Sequence, residues 1–211
     1  MEGDDALTVT VFVFGAGDGR SREERLMEAA RFAGYGSPQG GNEDELWLIA
    51  RKERGKPYFP NQPGLHFSIS HSGELWACAL SRCPVGVDIQ KHTKKRGESD
   101  RQTGARLLRL AERFFHPKEA DWVRGDPQKR FFRLWAAKES YVKYTGEGIG
   151  GSFGTFCLVP GGKEGHNWKA ENVWFYGEEL PDGYSLCVCC GEKEMLVKII
   201  YYDKKTDNFK R

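Results

Sequence analysis

The chain has almost no net charge. Across 211 residues, 32 Lys and Arg face 30 Asp and Glu, for a formal charge of +2. That argues against binding driven by bulk positive charge, so no nucleic-acid partner is expected. A local basic patch remains free to hold a phosphorylated small molecule. Long apolar runs are missing as well. The stretch Leu7–Phe14 is far too short to cross a bilayer and reads as a strand, so no membrane is expected. The start, Met1-Glu2-Gly3-Asp4-Asp5, lacks the basic character of a secretory leader. A cytoplasmic protein is expected, with its six cysteines as free thiols. Paired C-x-x-C elements are absent. Cys187-Val188-Cys189-Cys190 lies in the apolar run Tyr184–Cys190, which reads as strand core rather than a zinc site. No repeat and no low-complexity linker divides the chain. Aromatics, by contrast, are plentiful: six Trp, eight Tyr and thirteen Phe. A chain of this length and content can bury a sizeable core, as one large domain or two small ones.

Alternating Thr, Val and Phe over residues 7–14 predict a first strand. Ser21 is an N-cap for a helix over about 22–34. Residues 37–44 read as a polar loop, Leu46–Ala50 as a strand, and Arg51–Pro63 as an ordered loop. Short strands follow at Leu65–Ser70, Trp76–Ser81 and Val85–Ile89. His92–Thr103 is charged and reads as an exposed, mobile loop. A helical pattern then runs over about 104–145. Gly125-Asp126-Pro127 interrupts it, with Asp126 capping a long helix that Gly146 closes. Phe153–Val159, Trp168–Tyr176, Tyr184–Cys190 and Met195–Tyr202 read as strands. Strands, helices, then strands again imply an α+β fold with antiparallel sheets.

Four segments could carry chemistry. Phe131, Trp135, Glu139 and Lys143 recur at i, i+4 and form one row down the long helix. Alone, the Glu139–Lys143 pair is an ion pair worth a few tenths of a kcal/mol, roughly. In Gly86-Val87-Asp88-Ile89-Gln90, strand alternation puts Asp88 and Gln90 on one face. A carboxylate beside an amide oxygen suits magnesium, which needs only one or two protein carboxylates; a strand-end Asp is otherwise a turn or cap residue. His66-Phe67-Ser68-Ile69-Ser70-His71-Ser72 offers hydroxyl and imidazole donors to phosphate oxygens, or is simply a polar hairpin. Arg51-Lys52-Glu53-Arg54-Gly55-Lys56-Pro57 gathers four cations around a glycine that permits close backbone approach; a charge run is otherwise a solvated face.

Taken in order, these pieces resemble the Sfp-type 4′-phosphopantetheinyl transferases. The chain carries Gly55-Lys56-Pro57, Ser70-His71-Ser72, Gly86-Val87-Asp88-Ile89-Gln90, Phe114-Phe115 with Glu119, Trp135-Ala136-Ala137-Lys138-Glu139-Ser140-Tyr141-Val142-Lys143, and Gly146-Glu147-Gly148-Ile149. The ordered set spans roughly residues 51–150. The resemblance implies two similar α+β halves with antiparallel sheets, related by a pseudo-twofold and packed as one monomer, divided as 1–86 and 87–211. Coenzyme A would bind between them as substrate. An acyl, peptidyl or polyketide carrier protein would be the partner.

The same resemblance implies that the phosphopantetheine arm passes to a carrier serine and 3′,5′-ADP leaves. Asp88, Gln90 and Glu139 would hold Mg2+, with Mn2+ as a substitute. Glu139 would also be the general base. Lys143 would contact a phosphate. Ser70 and His71 would bind phosphate oxygens, with the 3′-phosphate on His71, and Lys56 would line the nucleotide end. Lys138, about 100° around the helix from Glu139, would reach another phosphate or solvent. Two departures stand out. Gln90 occupies the place of a second acid, and the N-terminal half is short. Arg20, Arg22, Arg25 and Arg31 are candidates for the 3′-phosphate, with Arg31 preferred. Arg106, Arg109 and Arg113 share a helical face that would dock the carrier. The competing reading is a noncatalytic module that binds coenzyme A or a carrier.

Overall fold

The computed structural model describes residues 7–35, 46–148, 153–160, 166–191 and 194–210. Its first strand, β1 (Leu7–Gly15), lies at the middle of a five-stranded sheet and is covered on both faces. That accounts for its lack of polar alternation. Val9, Val11 and Val13 face one core, while Phe12 and Phe14 face another. Helix α1 (Arg22–Phe32) follows. Ser21 caps it in a capping box: its hydroxyl accepts from the Glu24 amide at 3.1 Å, and the Glu24 carboxylate accepts from the Ser21 amide at 2.6 Å.

The short strands β2 (Ala50–Arg51) and β3 (Pro57–Tyr58) pair with each other. The hairpin of β4 (His66–Ser72) and β5 (Leu75–Ser81) completes one side of the large sheet, and β6 (Val85–Lys91) opens the second sheet. Three helices come next: α2 (Asp100–Phe114), α3 (Pro117–Arg124) and α4 (Pro127–Thr145). The strands β7 (Asn167–Ala170), β8 (Val173–Leu180) and β9 (Tyr184–Cys190) complete the second sheet, in the order β6-β9-β8-β7. The chain then returns to the first sheet with β10 (Met195–Asp203) and β11 (Asn208–Lys210), giving the order β11-β10-β1-β5-β4. The fold is α+β, and its sheets are antiparallel except at one pair. β1 and β10 run parallel, from Leu7 opposite Met195 to Val13 opposite Tyr201. The expected α+β fold with antiparallel sheets is found, and this one parallel pair is an addition to it.

Three cores result. Phe12, Phe14, Leu26 and Trp76 pack under α1; Val11, Val87, Ile89 and Val188 fill the space between the sheets; Leu107, Phe115, Leu134 and Phe175 join the helices to the second sheet. The two sheets also meet edge to edge. Ser68, Ser70 and Ser72 of β4 accept the backbone N–H groups of Val87, Ile89 and Lys91 of β6, at 3.0, 3.3 and 2.9 Å. Alternation places the three hydroxyls on one side, so they serve every second amide of the facing strand. On the other side of β6, Gly86 lies under α4. A Cβ there would stand 1.9 Å from the Ser140 carbonyl oxygen and 2.7 Å from the Tyr144 nitrogen. Only glycine lets the strand and helix approach this closely.

Several local expectations are corrected. Leu46 is helical, Trp47 lies in a turn, and only Ala50–Arg51 forms a strand there. The expected loop His92–Thr103 is already helical from Asp100, with Ser99 as N-cap. The expected strand Phe153–Val159 is a 3₁₀ turn at Phe153–Thr155 followed by irregular chain. Trp168–Tyr176 is split into β7 and β8 by a turn at Glu171 and Asn172, both with positive φ. The expected loop at 37–44 and Ile149 of the Gly-rich segment lie outside the described residues.

Candidate active site

Helix α4 supplies most of the site, and its ends are where the sequence puts them. The Asp126 carboxylate accepts from the Lys129 amide at 3.3 Å, Pro127 is in the first turn, and Gly146 adopts φ 73° at the C-terminus. Lys56 reaches that C-terminus from the β2–β3 loop region. Its ammonium donates to the Tyr144 carbonyl at 2.8 Å and approaches the Val85 carbonyl at 3.5 Å. A cation at orphan helix carbonyls is favourable. Burial, with Lys52 nearby, draws the Lys56 pKa down to about 8.

Asp88 is the hub. It is 2% exposed and each of its oxygens is engaged. Oδ1 accepts from Ser70 Oγ at 2.6 Å and from Lys143 Nζ at 2.6 Å; Oδ2 accepts from Gln90 Nε2 at 2.8 Å. Lys143 also donates to the Val87 carbonyl at 3.1 Å. Glu139, one turn before Lys143 on the same face, is 8% exposed. Burial raises its pKa to about 6, the Asp88 charge adds to the rise, and Lys143 opposes it. Two carboxylates therefore repel one another in a confined space. A hard divalent cation between them would relieve that repulsion, and oxygen ligands are what magnesium takes. Asp88 and Glu139 thus fit such an ion. Among the described residues, no group of three or more His, Cys, Asp or Glu side chains forms a preassembled metal cluster.

Lys56, Glu139 and Lys143 line one cleft, and Asp88, with Ser70 and Gln90 on its oxygens, is joined to it through Lys143. The structure does not bring all their expected partners. Ser70 is bonded to Asp88 and Ile89 within the protein. Gln90 turns its amide nitrogen, not its oxygen, toward Asp88. His71 is exposed at the end of β4 and is not among the described residues lining the cleft.

Lys138 points away from the cleft altogether. Its side chain is fully buried, 2.7 Å from a Glu119 oxygen, with Nζ donating to the Phe156 carbonyl at 3.0 Å. The Phe156 ring lies 4.0 Å from the ammonium. Burial lowers the Lys138 pKa while Glu119 opposes the shift. Glu119 also accepts from the amides of His116 and Leu158. This pair ties α3, α4 and the 153–158 segment together. Lys138 is thus turned toward neither the cleft nor solvent, the two places expected for it, because the offset of about 100° from Glu139 sends it into the helical core.

The cleft has a volume of about 290 Å³ and is lined by Arg22, Arg51, Arg54, Lys56, Glu139 and Lys143 among others. A second hollow of about 590 Å³ adjoins it past Lys56, with Lys52, His66 and Tyr144 on its walls. Burial and the cations Lys56 and Lys52 hold the His66 pKa below its usual value. Of the arginines weighed at α1, Arg22 lines the cleft, whereas Arg31 shares a separate surface hollow with Arg20. Arg25 is tied to Asp18 and Arg20 to Glu28. A signal for Arg22 was available: it occupies the first helical position, where positive charge is unfavourable for the helix itself. On α2, Arg106 is held by Glu98 and the Thr93 carbonyl. Arg113 lies over Phe114, and Arg109 is exposed.

A model of the 4′-phosphopantetheinyl transferase superfamily matches residues 84–189. That span covers β6, the three helices and β9, and so contains Asp88, Glu139 and Lys143. The chain is 35% identical over 154 residues to the 4′-phosphopantetheinyl transferase gsp of Aneurinibacillus migulanus, covering 70% of this chain and 59% of that protein. It is 36% identical over 140 residues to a 4′-phosphopantetheinyl transferase of Bacillus subtilis, covering 64% of this chain and 53% of the relative. It is 34% identical over 143 residues to the 4′-phosphopantetheinyl transferase Sfp of Bacillus subtilis strain 168, covering 66% and 54%. The chain thus spans little more than half the length of these curated relatives. With half of its residues matched by the family model and a relative 35% identical over 70% of its length, the chain belongs to the 4′-phosphopantetheinyl transferase superfamily.

Proposed function

We propose that this chain transfers the 4′-phosphopantetheine arm of coenzyme A to a serine of an acyl, peptidyl or polyketide carrier protein, releasing 3′,5′-ADP. The observation that carries this reading is Glu139, a carboxylate whose pKa burial and the nearby Asp88 raise to about 6, on the wall of a cleft with a basic rim. Coenzyme A is a crowded anion, and Arg22, Arg51, Arg54 and Lys56 supply charge to receive it. The two adjoining hollows fall in the size range of small-molecule sites.

Asp88 and Glu139 would hold Mg2+, which when bound supplies charge neutralisation for the diphosphate. Glu139, with its pKa at about 6, is a carboxylate near neutral pH yet basic enough to take the serine proton. The serine oxygen forms a bond to the β-phosphorus, the bridging P–O bond breaks, and 3′,5′-ADP departs with the electron pair. Lys143 lines the cleft and offsets charge that moves onto the phosphates. We place the protein in the cytoplasm, acting as a monomer. No helix among the described residues is long and apolar enough to cross a membrane.

The test is mass spectrometry of an apo carrier incubated with coenzyme A and Mg2+. The carrier should gain the mass of the phosphopantetheine arm, and Glu139→Gln should slow the gain by at least ~100-fold. Tight coenzyme A binding without transfer to any of several apo carriers would favour the noncatalytic module instead.

A further inference from the structure

Ser70 has a job that its sequence context hides. Ser68, Ser70 and Ser72 each accept a backbone N–H from β6. Ser70 makes one more. Because its oxygen already accepts from Ile89, its own proton is free to point outward, and it points at Asp88 Oδ1, 2.6 Å away. A carboxylate has no proton to return, so the donor and acceptor roles are unambiguous. Ser70 is 7% exposed, and its hydroxyl has both its bonds within the protein. Opposite it, the Gln90 amide N–H holds Oδ2 at 2.8 Å. With Lys143 also donating to Oδ1, donors on both oxygens fix the carboxylate plane.

We infer that Ser70 is a positioning residue for Asp88, with Gln90 holding the other oxygen, and that neither touches the phosphates of the substrate. This rests on the reading of Asp88 as a cation ligand. Its consequence is that the ligand is aimed by a residue of the other sheet. β4 belongs to the first sheet and β6 to the second, so the seam between them sets the carboxylate orientation before any ion arrives. Donors of this kind orient ligands, and removing one typically weakens metal affinity by ~10–100-fold. A phosphate ligand would behave differently, since its loss would weaken coenzyme A itself.

The experiment separates the two. Mn2+ binding is measured by electron paramagnetic resonance at saturating coenzyme A, without carrier, so that no turnover occurs. Coenzyme A binding is measured by calorimetry in chelator. Ser70→Ala should weaken Mn2+ by ~10–100-fold and leave metal-free coenzyme A affinity unchanged. Gln90→Leu, at the half-buried end of β6, should act in the same direction and serves if Ser70→Ala fails to fold. Ser72→Ala removes a ladder hydroxyl that reaches no carboxylate, and should leave Mn2+ affinity at the wild-type value. Unchanged Mn2+ affinity in Ser70→Ala, an equal loss in Ser72→Ala, or a fall in metal-free coenzyme A affinity overturns the inference. Wild-type protein that binds neither Mn2+ nor coenzyme A overturns the transferase reading beneath it.

Discussion

Glu139→Gln should cost the protein its activity and make it more stable at neutral pH. The folded environment raises the Glu139 pKa from 4.5 to about 6, through burial first and the Asp88 charge second. Between those two values the folded state binds more protons than the unfolded one. Stability therefore falls as pH rises through that window. Below pH 4.5 the group is neutral in both states and the penalty vanishes; above the folded pKa the penalty is complete. A shift of about 1.5 units corresponds to about 2 kcal/mol at ~1.36 kcal/mol per unit. Glutamine keeps the shape and removes the charge, so it should recover up to that amount at pH 8. For a chain of this size, each kcal/mol moves the melting temperature by roughly 2–4 °C. Urea unfolding of both proteins in chelator at pH 4.5, 6 and 8 measures the difference directly. It should be near zero at the lowest pH and largest at the highest. Mg2+ should then restore stability to the wild type more than to the variant, since binding to the folded state stabilises it. A variant no more stable than wild type at pH 8, or a difference that ignores pH, would refute the reasoning.

Lys138→Met should destabilise by about 3–5 kcal/mol in urea, because it leaves Glu119 charged and buried without its partner. Adding Glu119→Gln removes the unpaired buried charge but keeps an acceptor for only one of the His116 and Leu158 amides, so it should recover part of that loss; purely additive losses would show that the two residues do not act as a pair. Gly86→Ala would force a methyl to within 1.9 Å of the Ser140 carbonyl and should cost about 1–3 kcal/mol or more as β6 and α4 separate. An unchanged urea midpoint would mean that the strand and helix do not meet as closely as described.

The geometry of the candidate site was legible in the sequence wherever it depended on one element at a time. The row Glu139–Lys143 follows from helical spacing, and the caps Ser21, Asp126 and Gly146 follow from residue type and position. What stayed hidden depended on contacts between elements. Ser70 reads as a phosphate ligand because a serine beside a histidine in a turn suits one. In the structure its hydroxyl donates to Asp88, 18 residues away, a contact met only because two sheet edges come together. Gln90 reads as an oxygen ligand because an amide has one. The hydrogen-bond vacancy on Asp88 decides which end it presents. Lys138 sits next to Glu119 through packing of α3 on α4, and spacing could say only that it leaves the Glu139 face. Short apolar segments such as Leu46–Ala50 and Phe153–Val159 were ambiguous for the usual reason, that a brief apolar run fits a strand, a turn or a helix end equally well. The parallel β1–β10 pair has no local signature at all.

That pair also governs the order in which the molecule can assemble. β1 has two neighbours. β5 lies within the first 81 residues, whereas β10 begins only at Met195. Until β10 arrives, β1 presents an unpaired edge of Leu7, Thr8, Val9 and their successors, next to a core that lacks Ile200 and Tyr202. Loop closure over nearly the whole chain must precede the contacts that reward it, so the first sheet should mature late and slowly. An exposed apolar edge during that interval is an aggregation hazard. β1 thus waits for a partner that lies nearly two hundred residues further along, and refolding yield should fall with protein concentration well before stability does.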